Sequence, residues 1–415
     1  MPTHAAVGQS ISRSARAAGR ESAASALQKL GDEPRMLLLF ATTGYDQGEL
    51  LAGVADVAGD TPVSGCSAEG VIAQQLSDEG SHAAVVMAIA SDRATFTPFI
   101  AGGLTGDSCA CGLALAEQIG AASDGQGRCL LLFPDGMNGN CTDLLTSLQG
   151  ALPHPLVVAG GAAGAAISTG RTTYQYLGRE ARTGAVSAVL IGGAVSVDTT
   201  LSHGSMPIGV ARTVTRSDGG TVFEIDGRPA WEILREYLDG DRSDLSIADS
   251  LHLAFAEKVR VGADGRPDEY VMHTPFGLDA ATGALFFPGG LREGVRIQIA
   301  RRDPDRIREG ATAEARALAA RARGRSPSLV LHFDCAGRGR VIFGEQATAG
   351  TVASMQSALG TSIPWLGFYT YGEIAPFHGH PERAVYHNHT VVLCALYDTA
   401  DDGLGGARSA SESWT

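Results

Sequence analysis

The sequence predicts an α/β protein of two mixed-sheet domains built on one internally repeated strand–helix–Pro–Gly-loop unit. Two stretches carry this prediction, MLLLFATTGY and CLLLFPDGMN, and each is typical of a buried strand that ends on a phenylalanine. The separation from Phe40 to Pro62 equals the separation from Phe133 to Pro155, at 22 residues. Equal spacing between matching landmarks indicates an internal repeat.

A third copy of the unit lies in the second half of the chain. The stretch LVLHFDCAGRGR contains Phe333 and is followed, after a helical pattern, by PWLGFYTYGEIAP. Aligning Pro62 with Pro364 superposes Gly65 on Gly367. We therefore expect the three phenylalanines to lie at equivalent strand ends, each followed by a helix and a glycine loop.

Apolar periodicity gives the elements in order. In the first half, strands are predicted near 36–42, 83–90, 94–101, 129–133, 156–160, 184–197, 207–215 and 221–225, with helices near 47–58, 107–121 and 140–152. Pro229 then opens a helix whose apolar stripe includes Trp231 and Leu234, because proline is tolerated in a first helical turn. In the second half, strands are predicted near 251–259, 269–274, 283–287, 295–300, 328–334, 364–369 and 388–397, with helices near 305–323 and 345–359.

The two ends of the chain lack apolar periodicity and are rich in small and polar residues. Residues 1–25 and 399–415 are therefore predicted to be disordered tails. A polar stretch at 239–250, DGDRSDLSIADS, is the predicted linker, so we expect one domain over 26–240 and a second over 241–398.

Composition excludes several classes of function. The net charge is −13 and the arginines are scattered, so nucleic acid is not an expected partner. The longest apolar run, LVVAGGAAGAAI, has 12 residues against the roughly 20 that span a bilayer, so we expect no membrane insertion and a cytoplasmic location. The seven cysteines include no CxxC pair, which favours reduced thiols and no metal site.

The candidate ligand-binding residues lie in the loops that follow strand ends, where open α/β sheets bind ligands. The first copy is sparsely polar here, with Cys66, Ser67 and Glu69, of which Cys66 and Ser67 are candidates, whereas the third copy is rich in polar groups. Its candidates are Cys335, Arg338, Tyr369, Tyr371, Glu373, His387 and Asn388. Because side chains alternate along an extended segment, one tyrosine is expected to face the core and the other the cleft.

Arg338 and Glu373 have two interpretations at this stage. They pair with each other to hold two loops together, or they clamp a zwitterion, with the guanidinium on a carboxylate and Glu373 on an ammonium group. Asn388 is expected to cap loop backbone.

Six motifs in order resemble the FIST family. They are VSGCSAEGVI, SHGSMPIG, FEIDGRPAWEILREYL, FDCAGRGR, GFYTYGEIAP and YHNHTVVLCALY, and together they cover about residues 30–397. The resemblance implies a FIST N-like sensory domain over 26–240 and a FIST C-like ligand-binding domain over 241–398. It also implies a ligand-sensing protein of signal transduction, with small ligands such as amino acids, and some members of the family resemble haem-binding nitric-oxide sensors.

Three functions stay open from the sequence. The first is a small-ligand sensor, whose output requires a separate signalling protein because no kinase, cyclase or helix-turn-helix motif is present. The second is a haem-based nitric-oxide sensor with His203 as an axial ligand, although a histidine bonded to loop backbone is the alternative for that residue. The third is a hydrolase or transferase that uses Cys335, and it ranks below binding because no recognised catalytic signature is found.

Overall fold

The computed structural model describes residues 1–122, 125, 127–166, 172–238, 243–260, 269–377, 380, 381 and 383–399. A first repeat contains β1 (His4–Ser10), α1 (Ala15–Leu30), β2 (Met36–Thr42), α2 (Gln47–Ala58), β3 (Val63–Ala68), β4 (Gly70–Ala73), β5 (Leu76–Asp78) and β6 (Ala84–Ala90). A second contains β7 (Ala94–Gly102), α3 (Ser108–Ala122), β8 (Gly127–Pro134), α4 (Cys141–Ala151), β9 (Val157–Gly161), β10 (Gln175–Leu177), β11 (Glu180–Arg182) and β12 (Ala185–Gly193). Both repeats therefore have the same order of elements.

The third repeat is interrupted by an insertion after its first strand, β13 (Val195–Ser202). The insertion contains β14 (Ser205–Asp218), β15 (Thr221–Ile225), β16 (Arg228–Pro229), α5 (Ala230–Arg235), α6 (Ile247–His252), β17 (Leu253–Arg260), β18 (Glu269–His273), β19 (Gly277–Asp279), β20 (Ala284–Phe286) and β21 (Arg296–Arg302). The repeat then resumes with α7 (Pro304–Arg321), β22 (Leu329–Cys335), α8 (Arg340–Phe343), α9 (Glu345–Leu359), β23 (Trp365–Thr370), β24 (Glu373–Pro376), β25 (Ala384–His387) and β26 (Val391–Asp398).

Three six-stranded sheets share one topology. Their strand orders are β1-β6-β2-β3-β10-β11, β7-β12-β8-β9-β24-β25 and β13-β26-β22-β23-β4-β5. In each sheet the last two strands are a hairpin from another repeat, and the exchange is cyclic: the first repeat supplies the third, the third the second and the second the first. The inserted strands form a fourth sheet. The fold class is confirmed as mixed α/β, and strands from both halves of the chain share its sheets.

The predicted equivalence of the three phenylalanines is confirmed. The central parallel pairs place Leu39 opposite Gly65, Leu132 opposite Gly160 and His332 opposite Gly367, and a phenylalanine follows in each first strand. The rings of Phe40 and Phe133 lie 5.3 Å apart between centroids, and those of Phe133 and Phe333 lie 6.1 Å apart. All three side chains are fully buried where the sheets meet, so the repeat builds one shared core.

The expected disorder of residues 1–25 is wrong, because this stretch supplies the first strand and helix of the first repeat. β1 pairs along its whole length with β6, and α1 packs against α2. A Cβ added to Gly19 would lie 2.0 Å from the carbonyl oxygen of Leu50, and one added to Gly53 would lie 2.1 Å from that of Arg16. The two helix backbones pack closely through glycine and alanine. Because these residues are small, the helix contact leaves no pattern of large apolar residues in the sequence.

Other predicted boundaries have mixed outcomes. The single strand expected over 184–197 is two strands, β12 and β13, which belong to different sheets. Within the predicted linker, residues 239–242 lie outside the described residues and α6 occupies the end of the stretch. The predicted C-terminal tail, apart from Thr399, also lies outside them. Among the described helices, none has the length and apolar character needed to cross a membrane.

Candidate functional site

A cavity of about 540 Å³ opens where loops after β3, β8, β22 and β23 meet the insertion. Its wall combines apolar and polar side chains with short stretches of backbone. The lining residues are Glu69, Met137, Leu245, Ser246, Leu251, Thr274, Pro275, Phe276, Cys335, Ala336, Gly337, Val341, Thr370, Tyr371, Asn388 and His389. Carboxyl ends of parallel strands thus bound this space, as expected for a ligand site in an α/β protein.

Backbone hydrogen bonds tie the three repeats together beside the cavity. The reference points are the equivalent glycines at 65, 160 and 367. In each bond, the N–H of the residue four positions after one glycine donates to the carbonyl oxygen of the residue two positions after another. The bonds run from Glu69 N to Tyr369 O at 3.2 Å, from Gly164 N to Ser67 O at 3.0 Å and from Tyr371 N to Ala162 O at 3.1 Å. This cyclic pattern fixes the loop positions, so the side chains that follow the strands project from a rigid frame.

Glu69 and Tyr371 occupy equivalent positions in the first and third repeats and contact each other. The Tyr371 hydroxyl donates to Glu69 Oε2 at 2.9 Å and also lies against the carbonyl oxygen of Ala165. The equivalent position in the second repeat is Gly164, where an added Cβ would lie 2.6 Å from Glu69 N. A glycine here lets the backbones of the three repeats approach closely at the junction.

The insertion completes the opposite wall through Thr274 and Phe276. The Thr274 backbone N–H donates to Asn388 Oδ1 at 3.1 Å, and its hydroxyl lies 3.1 Å from His389 Nε2. The Asn388 backbone N–H in turn donates to the carbonyl oxygen of Met272 at 2.9 Å. Asn388 therefore binds loop backbone, as the sequence led us to expect, and it joins the insertion to the third repeat.

Cys335 lines the cavity but has the properties of a buried thiol. Burial raises its pKa to about 12, with Glu373 adding to the rise, while Arg302 and the backbone N–H groups of Gly337 and His389 lower it. The thiol is therefore protonated at neutral pH, and a thiolate is the form that attacks substrates. The cysteine-dependent enzyme of the sequence analysis gains no support from this environment.

The expected clamp of Arg338 and Glu373 needs correction, because neither side chain lines the cavity or bonds to the other. Arg338 is buried and its Nε donates to Asp334 Oδ1 at 2.6 Å. Burial raises the pKa of Asp334, but the Arg338 guanidinium and a hydrogen bond from His332 lower it by more than burial raises it, so the net shift is downward. Asp334, four residues earlier on the chain, is a nearer partner for Arg338 than Glu373.

Glu373 is fully buried at the base of the polar wall. Its carboxyl group accepts from the Thr390 backbone N–H at 3.0 Å, from the Thr390 hydroxyl at 2.6 Å and from the Thr370 hydroxyl. Burial raises its pKa to about 8, against the lowering effect of these hydrogen bonds. Glu373 is therefore mainly protonated at neutral pH and positions Thr370, which lines the cavity.

This raised pKa predicts a pH-dependent stability. Below the ordinary value of 4.5 the folded and unfolded states bind the proton equally, and as pH rises to about 8 only the unfolded state releases it. The free energy of unfolding should therefore fall over this range, by at most about 5 kcal/mol from this group. Urea unfolding at several pH values should show a shallower fall in Glu373→Gln. The exposed Glu309→Gln should keep the wild-type slope, and an equal slope in all three proteins would contradict the assignment.

The other predicted site residues serve the core rather than the cavity. Tyr369 is fully buried with its hydroxyl 2.8 Å from Ser77 Oγ, so it faces the core while Tyr371 faces the cavity. The Ser67 hydroxyl donates to the carbonyl oxygen of Gly164 at 2.8 Å, and Cys66 packs in the shared core. His387 is fully buried, lies 3.3 Å from the Ala375 carbonyl oxygen, and has its pKa lowered to about 4 by burial.

His203, the candidate haem ligand, lies in the turn between β13 and β14. Its Nδ1 accepts the Ser205 backbone N–H at 2.9 Å, and its carbonyl oxygen lies 3.5 Å from Arg338 Nη1. Burial lowers the pKa of the ring to about 4, and the Arg338 charge adds to this lowering, so the imidazole is neutral. A neutral ring suits both loop bonding and coordination by the other nitrogen, and the haem alternative stays a prediction.

Sequence reasoning missed several lining residues. Thr274 and Phe276 belong to the insertion, which no repeat comparison could align with the loops of the third copy. His389 directly follows the candidates His387 and Asn388 in the sequence but was not taken as a candidate itself, and its backbone φ of 59° is a conformation that glycine and asparagine adopt more readily. Glu69 follows Cys66 and Ser67 in the first copy but was not taken as a candidate, although the same alignment that pairs Gly65 with Gly367 pairs Glu69 with Tyr371.

Comparison with known proteins agrees with this architecture. Residues 35–228 match the FIST N domain and residues 230–376 match the FIST C domain. An uncharacterized protein of Mycobacterium tuberculosis is 30% identical over 384 residues, covering 90% of this chain and 95% of the relative. An uncharacterized protein of Mycobacterium bovis is 28% identical over 403 residues, covering 94% and 98%.

Solved structures give only distant matches. A chorismatase aligns with a TM-score of 0.36 and 9% identity, covering 95% of this chain and 98% of that structure. A cyanuric acid hydrolase aligns with a TM-score of 0.34 and 9% identity, covering 96% and 100%. At these scores neither match supports a conclusion about ligand or reaction. FIST domains are generally sensory and ligand-binding domains of signal transduction. This chain belongs to the FIST family and consists of a FIST N domain followed by a FIST C domain.

Proposed function

We propose that this chain is a cytoplasmic sensory protein of signal transduction that binds an amino acid or a similar small metabolite and acts on a separate partner protein. The cavity of about 540 Å³ carries the proposal. Its volume lies within the range of roughly 300–1,000 Å³ that small-molecule pockets occupy. Family membership adds support, because FIST domains are generally ligand-binding.

The chemistry of the wall suits a small amphipathic ligand. Leu245, Leu251, Phe276 and Met137 supply apolar surface, on which a hydrophobic side chain of a ligand can pack. The carboxyl group of Glu69 offers an acceptor for an ammonium group beside the Tyr371 hydroxyl. Apolar surface with few polar groups is the usual composition of a specific ligand pocket.

The wall also joins parts of the chain that are far apart in sequence. It takes residues from the first repeat, the insertion and the third repeat, including Glu69, Thr274 and Asn388. A ligand in contact with all three would stabilise one relative arrangement of these elements. Differential binding of that kind is what a sensor needs to change the surface seen by a partner.

A blocked-cavity variant tests this function. Val341 lies on α8, lines the cavity and is 42% exposed, so tryptophan at this position would occupy the mouth with little effect on the core. Val210 lies on β14, is 63% exposed and is absent from the lining, which makes Val210→Trp the matched control. A thermal-shift screen of amino acids and related metabolites should find a compound that stabilises the wild type, because a ligand bound only to the folded state raises its stability.

Calorimetry with that compound should show an affinity at least about tenfold weaker in Val341→Trp and unchanged in Val210→Trp. Equal affinity in wild type and Val341→Trp would place the ligand elsewhere and contradict the proposal. A screen in which no compound stabilises the wild type would also count against it.

A further inference from the structure

Arg302 is a buried cation whose hydrogen bonds are incomplete. It is the last residue of β21, is 4% exposed, and donates from Nη1 to the Leu251 carbonyl oxygen at 2.6 Å. Within the described part of the chain, its Nε and Nη2 atoms are enclosed and have no hydrogen-bond partner. Leaving buried guanidinium N–H groups unsatisfied costs free energy that a native structure normally recovers through a partner.

Two further unsatisfied groups belong to Ser205, which pairs with Arg302, and to Arg338, whose charge acts on Arg302. Ser205 pairs directly with Arg302 across the antiparallel β14–β21 ladder, so both side chains lie on the same face of the sheet. Among the described residues, neither the Ser205 hydroxyl nor the Nη2 atom of Arg338 has a partner. These groups are all able to donate hydrogen bonds, and together with Arg302 they form a cluster of donors without a matching acceptor.

The charges around the cluster do not balance. Arg302 and Arg338 are both cations, and Asp334 is the ionised carboxylate that pairs with Arg338. Glu373 and Cys335 also act on Arg302, but burial raises their pKa values to about 8 and about 12, so both are mainly neutral at pH 7. One positive charge is therefore in excess among these groups, and it belongs to Arg302.

The cluster lies directly behind the cavity wall. Leu251 and Gly337 both line the cavity, and Leu251 accepts the hydrogen bond from Arg302. A Cβ added to Gly337 would lie 3.3 Å from Arg302 Nη1, so the absence of a side chain at Gly337 brings the guanidinium close to this wall. An anionic group held between the inner end of the cavity and these donors would supply the missing negative charge.

We propose that Arg302, with Arg338 Nη2 and the Ser205 hydroxyl, forms an anion-binding centre directly behind the inner wall of the cavity that takes one small monoanionic group. This inference rests on the proposed function, because it assigns a binding place to the charged part of the ligand. The monoanionic group is the carboxylate of that ligand, or an inorganic ion such as chloride that takes the same place. Arginine suits this role since its planar fork binds a carboxylate through two hydrogen bonds.

Arg302→Met tests the centre, because methionine keeps an unbranched apolar stem and removes the charge. Arg301→Met is the matched control, since Arg301 is the exposed neighbour on the same strand. Thermal unfolding is measured in chloride and in acetate. The background is sulfate at equal ionic strength, and acetamide serves as the uncharged counterpart of acetate. Wild type and Arg301→Met should gain about 3 °C from a saturating monoanion over this background, and Arg302→Met should gain none.

A second readout separates this role from a structural one. If Arg302 is an uncompensated cation, Arg302→Met should be at least as stable as wild type in the sulfate background, since removing such a charge also removes its cost. Lower stability of Arg302→Met in every salt, with the monoanion effect preserved, would overturn the proposal. Stabilisation by acetate alone would indicate that the centre binds the carboxylate of a ligand. Equal stabilisation by chloride would indicate that it binds an inorganic ion. Both outcomes support the centre.

Failure of this inference can be told apart from failure of the proposed function. A compound that binds wild type and Arg302→Met equally, but not Val341→Trp, would refute the anion centre and keep the function. A monoanion effect that depends on Arg302, together with no cavity ligand in the metabolite screen, would keep the centre and refute the function.

Discussion

Gly65→Ala is expected to lower the free energy of unfolding by more than about 4 kcal/mol, among the largest effects of a single methyl group. In the parallel pair of β2 and β3, the added Cβ would lie 1.9 Å from the carbonyl oxygen of Leu39. That contact is with backbone, which a side-chain rotation cannot relieve. The φ of Gly65 is 145°, a conformation that residues with a Cβ rarely adopt, so strain adds to the clash.

The same result is expected at the two equivalent glycines. A Cβ on Gly160 would lie 2.0 Å from the Leu132 carbonyl oxygen, and one on Gly367 would lie 2.0 Å from that of His332. Urea unfolding of the three alanine variants measures the loss. The control is Gly350→Ala in α9, where an added Cβ meets no atom within 4 Å and alanine should be stabilising by up to about 1 kcal/mol. A loss below about 1 kcal/mol at all three glycines would contradict the shared geometry.

These glycines show how far the repeat could be predicted. The alignment of Pro62 with Pro364 placed Gly65 on Gly367 correctly, because the proline and the strand after it have the same spacing in both copies. The second copy shifts by two residues: Phe133 lies 93 positions after Phe40, but Gly160 lies 95 after Gly65. Spacing between prolines is therefore a guide to the repeat, while the exact register depends on the length of the loop after each helix.

The exchange of hairpins between repeats could not be predicted from local patterns. The hairpin of β4 and β5 follows β3 directly in the chain, yet β4 pairs with β23, which lies almost 300 residues later. Alternation and turn signals identify strands but do not say which edge they join. For the same reason the predicted division into two domains did not anticipate sheets that contain strands from both halves.

The candidate site was predicted in part. The strand-end loops of the third copy do bound the cavity, and Cys335, Tyr371 and Asn388 line it. The sequence cannot show which polar groups have partners already: Arg338 is matched by Asp334, four residues away, whereas Arg302 lies in a stretch of scattered arginines with no distinguishing pattern. Burial and hydrogen bonding, which only the fold determines, separate the two arginines.

Arg338→Met should lower the free energy of unfolding by about 3–5 kcal/mol, because it leaves the buried carboxylate of Asp334 without its cation. The network around the pair offers little compensation. The Trp365 indole N–H lies 3.2 Å from His332 Nδ1, so this nitrogen accepts and His332 Nε2 donates to Asp334 Oδ2. In the variant, His332 is the neutral donor that remains to Asp334. The guanidinium that balances the carboxylate charge in the wild type, at 2.6 Å, is lost.

The double variant Asp334→Asn/Arg338→Met separates an ion pair from simple packing. Removing both charges should recover at least half of the loss, since replacing a buried pair is far less costly than breaking it. Urea unfolding of both single variants and the double variant gives the coupling energy. Additive effects, or a loss within about 1 kcal/mol for Arg338→Met, would show that the pair is not the reason for the burial of these residues.

The contrast with Arg302 makes this test specific to charge balance. Both arginines are almost fully buried in one cluster, so methionine removes a similar volume from each. Only Arg338 has a carboxylate partner at hydrogen-bonding distance among the described residues, and Arg302 carries the excess charge. Arg338→Met should therefore be strongly destabilised, whereas Arg302→Met should keep its stability and lose its response to monoanions. If packing alone determined stability here, the two substitutions would have similar costs.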